Sequence, residues 1–168
     1  MERDILGVQS ESAELAENLQ ERIDIIKHKL KFFPDKPKVL CLQGVNPFLL
    51  ANERLLETIK LAGGTPVISF YSIDDLINEN PEIIILALSN EGLEESMKVI
   101  PDFLSFNGIS ELAAIKNNRL YITNSKTYFE KEGEFAVDAL ESIAEIITPK
   151  YFNFGFEGLA WVKFDLGV

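Results

Sequence analysis

Residues 81–88, with the sequence PEIIILAL, place the strongest constraint on how this chain can fold. A near-continuous apolar run of this length is typical of a strand that is buried on both faces of a parallel sheet. Three further segments have the pattern of strands, and helical segments alternate with them. Because parallel strands need crossover connections, this alternation predicts a mainly parallel, four-stranded sheet flanked by helices. The other strands are predicted at 38–43, at 65–69 and at the end of 112–123.

One long helix is predicted before the sheet, at residues 9–33. Apolar side chains recur in it at spacings of three and four, which places them in one stripe along the helix. We expect this stripe to be buried, against the lobe or against a second chain. The stripe consists of Leu15, Leu19, Ile23, Ile26, Leu30 and Phe33. Further helices are predicted within 46–64, 72–80, 91–106 and 132–149.

The chain is predicted to form a single α/β lobe with a segment on either side. Residues 1–36 form the long helix and a linker, residues 37–150 form the lobe, and residues 151–168 form an aromatic C-terminal tail. The tail contains six aromatic residues, and we expect them to pack on protein because a large exposed apolar patch is unfavourable in water. Residues 159–164 alternate weakly and predict a strand within the tail.

Charge and the rare reactive residues narrow the possible functions. The formal net charge is −11 and no cluster of lysine and arginine offsets it, so nucleic acid is not an expected partner. The single cysteine, Cys41, lies in a predicted buried strand and excludes a disulfide within the chain. The only histidine, His28, excludes a site with several histidine ligands in one chain.

No motif for catalysis or for a bound cofactor occurs in the sequence. Glu130, Glu132 and Glu134 cluster in one loop, where we expect solvated carboxylates rather than an acid–base pair. We therefore predict a protein that is not an enzyme and that holds neither a cofactor nor a metal. The N-terminal sequence MERDILGV lacks the basic start and apolar stretch of a signal peptide, so a cytoplasmic location is expected if Met1 is the natural start.

Five segments carry a resemblance to a known family: PDKPKVLCLQ, ERLLETIKLAGGTPVIS, SIDDLINENPEIIILA, LAAIKNNRLYIT and YFEKEGEFAVDALESIAEIITPKYF. Preceded by the long helix, their order resembles the C-terminal half of the helical-backbone class of ABC-importer substrate-binding proteins, and helix and segments together span nearly all of residues 5–152. These proteins hold cobalamin, a ferric siderophore or haem between two α/β lobes that one long helix joins. Within the class, the chain is most similar to the cobalamin-type receptors.

The resemblance implies one lobe of a substrate-binding component, located in the periplasm or elsewhere outside the cytoplasm. Its expected partners are a large metal-chelate or corrinoid ligand and an ABC permease. The first lobe of the family is not in this sequence, so the chain is expected to be a fragment of a longer receptor or a half-receptor that pairs as a homodimer. The alternative is a cytosolic, non-catalytic interaction module that dimerises through its long helix and tail.

The resemblance also implies a ligand site on three loops that follow strands, since ligands of open α/β sheets bind outside the carboxyl ends of the strands. The family has a tryptophan near the position of Arg54, and this sequence lacks it. Arg54 itself is expected to bind a carboxylate or phosphate group. Glu57 matches a glutamate that docks onto permease arginines, with an ordinary exposed carboxylate as the alternative. Phe48 and Phe129 have a core position as their alternative. The predicted ligand-binding residues are Asn46, Phe48, Asn52, Arg54, Ser89, Asn90, Tyr128 and Phe129.

Overall fold

The computed structural model of the protein describes residues 4–168, so Met1 to Arg3 of the predicted first segment lie outside the described residues. The α-helices are α1 (Ala13–Leu30), α2 (Glu53–Leu61), α3 (Ile73–Glu79), α4 (Leu93–Met97), α5 (Ile100–Ser105), α6 (Ala113–Lys116) and α7 (Glu134–Ile147). The strands are β1 (Lys38–Val45), β2 (Phe48–Leu50), β3 (Thr65–Pro66), β4 (Ile83–Leu86), β5 (Leu120–Thr123) and β6 (Trp161–Phe164). Within the described residues, no helix is both long and apolar enough to span a membrane.

The predicted α/β class is confirmed, and the four predicted strands are all present. Strand β1 pairs in parallel with β3 and with β4, and β4 pairs in parallel with β5. Two antiparallel strands extend this parallel core: β2 pairs with β1, and β6 pairs with β5. The sheet is therefore mixed and six-stranded, with the order β2-β1-β4-β5-β6 and with β3 beside the first residues of β1.

Alternate residues of the strands divide the hydrophobic core between the two faces of the sheet. Ile83 and Ile85 of β4 belong to the core under α1, α2 and α7, whereas Ile84 and Leu86 belong to the core under α3, α5 and α6. All four side chains are fully buried. Burial on both faces explains why apolar and polar residues do not alternate in this strand.

Helix α1 lies across the lobe and packs on α7, which is itself buried along most of its length. Leu19, Ile23 and Ile26 are buried and Leu30 is half-buried, so the prediction that the stripe is covered is confirmed. The covering surface belongs to the same chain. The stripe therefore offers no free apolar face for a dimer.

An ion cluster joins the same two helices. Arg22 of α1 donates to Asp138 of α7 at 2.5 Å and also to Glu141 of α7. Burial raises the pKa of Glu141 above its ordinary value, and the hydrogen bond from Arg22 only partly offsets this effect. The guanidinium thus compensates a carboxylate that burial alone would disfavour.

The observed helix boundaries follow local capping. Helix α1 is shorter than predicted because Ser12 caps it, with its Oγ accepting from Leu15 N at 3.4 Å. Ser72 caps α3, accepting from Asp75 N at 3.1 Å. The predicted helical segment 91–106 is divided, since α4 ends at Met97 and Pro101 lies in the first turn of α5. Proline is tolerated there since the first-turn N–H groups have no partner within the helix.

The aromatic tail packs on the lobe as expected. Its residues 161–164 form the edge strand β6, and Phe152 and Trp161 are buried in the core beside α7. Tyr151 and Leu159 of the tail stay exposed.

Candidate functional site

The strand order reverses beside β1, and this reversal creates a crevice. Val39 of β1 pairs with Pro66 of β3 on one side and with Ile83 of β4 on the other. The chain thus leaves β1 toward one side of the sheet and returns to it on the opposite side. In open α/β sheets, the connections that leave two neighbouring strands at such a switch point run to opposite sides. This leaves a crevice outside the carboxyl ends of the strands, where ligands bind. The crevice in this chain lies between the ends of β1 and β4.

A cavity of about 500 Å³ occupies this position. Its walls are formed by residues 43–46 at the end of β1, by Leu88, Ser89 and Glu91 after β4, and by α5 with the residues on either side of it. The volume lies within the range of about 300–1,000 Å³ that small-molecule sites occupy. From α5 and its end, the lining side chains are Asp102, Ser105 and Phe106.

Hydrogen bonds hold the two strand ends in place. Ser89 N donates to Gln43 O at 3.2 Å, which joins the loop after β4 to β1. The Gln43 side chain extends in the other direction, where its Oε1 accepts from Asn52 N at 2.7 Å. Gln43 therefore lies at the centre of the site and connects the crevice to the start of α2.

Two of the predicted ligand-binding residues, Asn46 and Ser89, line this cavity. Asn90 follows directly, and its backbone N–H donates to Glu130 Oε1 at 2.6 Å. The first loop reaches the same late loop through Arg54, whose Nη1 lies 3.7 Å from Glu132 Oε1. The three predicted loops therefore meet at the carboxyl edge of the sheet. The Arg54 guanidinium is paired within the chain and is not an unpaired charge at the crevice.

The other predicted side chains have structural contacts. Phe48 packs against Phe106 with ring centroids 4.7 Å apart, on the inner side of the cavity wall. The Asn52 side chain caps α2 by accepting from Leu55 N at 3.0 Å. Phe129 is only 2% exposed, so it presents almost no surface to a ligand.

Tyr128 lies in an aromatic cluster on the α7 side of the same edge. Its ring centroid is 5.9 Å from that of Phe135 and 6.0 Å from that of Phe156, and the residue is half-buried. Phe135 and Phe156 were not predicted as site residues. They belong to two segments, the last helix and the tail, whose proximity depends on the tertiary fold.

Glu57 is half-exposed on α2, where Lys60 Nζ donates to its Oε1 at 2.9 Å. It lines a second cavity, of about 390 Å³, that is formed by α1, α2 and residues 4–9. Its surface is therefore separate from the crevice. Across residues 4–168, no cluster of three or more His, Cys, Asp or Glu side chains is arranged to hold a metal ion.

Comparisons with known proteins find solved structures that are similar to this chain. No family profile and no curated protein sequence matches this chain. An ABC transporter substrate-binding protein from Listeria monocytogenes EGD-e matches with a TM-score of 0.70 and 26% identity, over 81% of this chain and 56% of its own. S. aureus IsdE, whose structure is complexed with heme, matches with a TM-score of 0.67 and 26% identity, over 80% of this chain and 56% of its own.

The TroA-like periplasmic binding protein FepB from Veillonella parvula shares the fold at 18% identity, with a TM-score of 0.67, over 84% of this chain and 48% of its own. The resemblance to the helical-backbone substrate-binding proteins is confirmed. The chain spans about half the length of these structures and forms a single α/β lobe with its helix α1. All three similar proteins are described as binding proteins or are complexed with a ligand, and none of the three descriptions names an enzyme.

Proposed function

We propose that this chain is the non-catalytic ligand-binding lobe of an ABC importer's substrate-binding protein. The observation that carries the proposal is the cavity of about 500 Å³ at the switch point between β1 and β4. The shared fold supports the same role, because the similar structures include substrate-binding and heme-complexed proteins. The ligand class is a metal chelate, with a ferric siderophore, haem or cobalamin as the candidates.

The proposal includes a location outside the cytoplasm and an ABC permease as the partner. Glu57 is the proposed permease contact, since its carboxylate is half-exposed on α2 and away from the crevice. No observation favours the alternative of a dimerising interaction module. The stripe of α1 named for it packs within the chain, and Phe152 and Trp161 of the tail are buried in the same core.

The test is a titration followed by amide signals in ¹H–¹⁵N spectra. The ligands are haem, cobalamin and the gallium(III) complex of a trihydroxamate, which is a diamagnetic substitute for the ferric complex. Binding at the crevice shifts the signals of Gly44 and Ser89, which lie on its two walls. One lobe forms one wall of a cleft, so dissociation constants in the micromolar to millimolar range are expected.

Two tryptophan variants identify the site. Ser89→Trp fills the cavity and should weaken binding at least about tenfold, because its ring occupies space that the ligand needs. Ser110→Trp is the matched control, since Ser110 is exposed and lies outside the cavity lining. If no ligand shifts the signals of Gly44 or Ser89, or if both variants weaken binding equally, the proposed function is wrong.

A further inference from the structure

The cavity at the crevice is acidic. Glu91 on the β4 side and Asp102 on α5 are the charged side chains that line it, among the residues that the structure describes. Within residues 4–168, neither carboxylate takes part in a hydrogen bond or an ion pair. Their negative charge is therefore not neutralised by the protein.

The cationic side chains near this edge do not neutralise the negative charge of Glu91 and Asp102. Arg54 is paired with Glu132 at 3.7 Å. Lys126 approaches through its backbone, whose N–H donates to Glu91 O at 3.1 Å, and its side chain is not part of the cavity lining. A further carboxylate, that of Glu130, accepts from Asn90 N beside the cavity. The net charge of −11 adds to the negative potential at the crevice.

The remaining polar groups of the lining are neutral. They are the side chains of Asn46, Ser89 and Ser105, whereas the Gln43 Oε1 already accepts from Asn52 N. Amides and hydroxyls both donate and accept hydrogen bonds, so they suit the oxygen atoms of an uncharged chelate. Arginine and lysine, which give charge-assisted hydrogen bonds to a ligand carboxylate or phosphate, are absent from the lining among the described residues.

We propose that this cavity binds a neutral or cationic metal chelate in preference to an anionic one. This inference rests on the proposed function and assigns the charge class of the ligand at the same site. Arg54, which was expected to bind an anionic group, is not part of the cavity lining.

The experiment uses three gallium(III) complexes of one linear trihydroxamate that differ only at the chain end. The end is a free ammonium, an acetamide or a succinyl carboxylate, so the complexes carry charges of about +1, 0 and −1 at pH 7. Dissociation constants come from the shifts of the Gly44 and Ser89 amide signals. We expect the ammonium complex to bind most tightly and the carboxylate complex most weakly. At low salt, the dissociation constants of complexes that differ by one charge unit should differ about two- to fivefold.

Neutralising variants test whether Glu91 and Asp102 cause this order. Glu91→Gln and Asp102→Asn should each weaken the ammonium complex about two- to fivefold and strengthen the carboxylate complex. Glu21→Gln and Asp74→Asn are matched controls: both residues are exposed and outside the cavity lining, and each change alters the net charge equally. The controls should leave the order and the spacing of the three constants unchanged.

The outcomes separate this inference from the proposed function. Equal binding of the three complexes, or tightest binding of the carboxylate complex, overturns the charge preference while the chelate site stands. Binding of haem alone at the crevice does the same, because haem carries two carboxylates. If neither the three complexes nor haem and cobalamin shift the crevice signals, the proposed function and this inference are both overturned.

Discussion

The indole Nε1 of Trp161 donates a 3.2 Å hydrogen bond to Oε1 of Glu145, and both residues are buried. Three consecutive backbone N–H groups, those of Phe154, Gly155 and Phe156, donate to the same carboxylate at 2.9, 3.2 and 3.3 Å. One side chain of α7 therefore organises the turn of the tail that precedes β6. The acceptor-only character of an ionised carboxylate suits four donors.

Glu145→Gln is expected to destabilise the protein by about 2–4 kcal/mol, because an amide keeps one acceptor oxygen and turns an NH₂ group toward N–H donors. Urea unfolding followed by the fluorescence of Trp161, the one tryptophan of the chain, measures the loss. Glu157→Gln is the control, since Glu157 is exposed in the same tail. Equal midpoints for the two variants would show that the carboxylate does not anchor the tail.

Neighbouring isoleucines of α1 provide a matched pair for the helix–lobe contact. Ile26 is 0% exposed and Ile25 is 49% exposed. Ile26→Ala should lower the free energy of unfolding by about 2–5 kcal/mol through lost burial and a residual cavity. Ile25→Ala should change it by less than about 1 kcal/mol. Similar losses from both substitutions, measured by urea titration, would contradict the packing of α1 on α7.

The elements that local pattern determines were predicted well. The apolar run of β4 and the stripe of α1 each depend on residues that are near in sequence, and the structure contains both. Strand β2 was not predicted, because its three residues have no periodicity. It exists only through pairing with β1, where Leu50 lies opposite Leu42.

The site was predicted only in part for the same reason. Asn46 and Ser89 follow strands, and strand ends meet at one edge, so sequence order was sufficient to predict that they lie close together at the cavity. Asp102 contributes from a helix that packs beside β4, which no local pattern reveals. Phe129 shows a second limit: an aromatic residue in a loop has the same sequence pattern whether it faces a ligand or the core.

Arg22→Met tests the ion cluster between α1 and α7. The substitution leaves Glu141 buried beside Asp138 without its cation, and we expect a loss of about 2–3 kcal/mol at pH 7. Burial already raises the pKa of Glu141, so the folded state binds its proton more tightly than the unfolded state does. Loss of Arg22 removes a group that lowers this pKa, so Glu141 of the variant takes up its proton at a higher pH than Glu141 of the wild type, and the deficit should shrink as the pH falls.

The measurement for Arg22→Met is urea unfolding at pH 7 and pH 5. Lys31→Met is the control, since Lys31 is exposed at the end of the same helix and takes part in no ion pair within residues 4–168. A deficit of the same size at both pH values would contradict the coupling between Arg22 and the protonation of Glu141.

The thiol of Cys41 lies in the centre of the sheet, and burial raises its pKa to about 12. At pH 8 the folded protein then holds about one thiolate in 10⁴ molecules, so a disulfide reagent should label Cys41 only after unfolding. Because the unfolded thiol ionises near its ordinary pKa of 9.0, the unfolded state loses its proton first as the pH rises. The stability of the wild type relative to Cys41→Val should therefore fall by about 1.4 kcal/mol between pH 8 and pH 10. Labelling of the native protein as fast as in urea, or a difference that does not change with pH, would contradict a buried thiol.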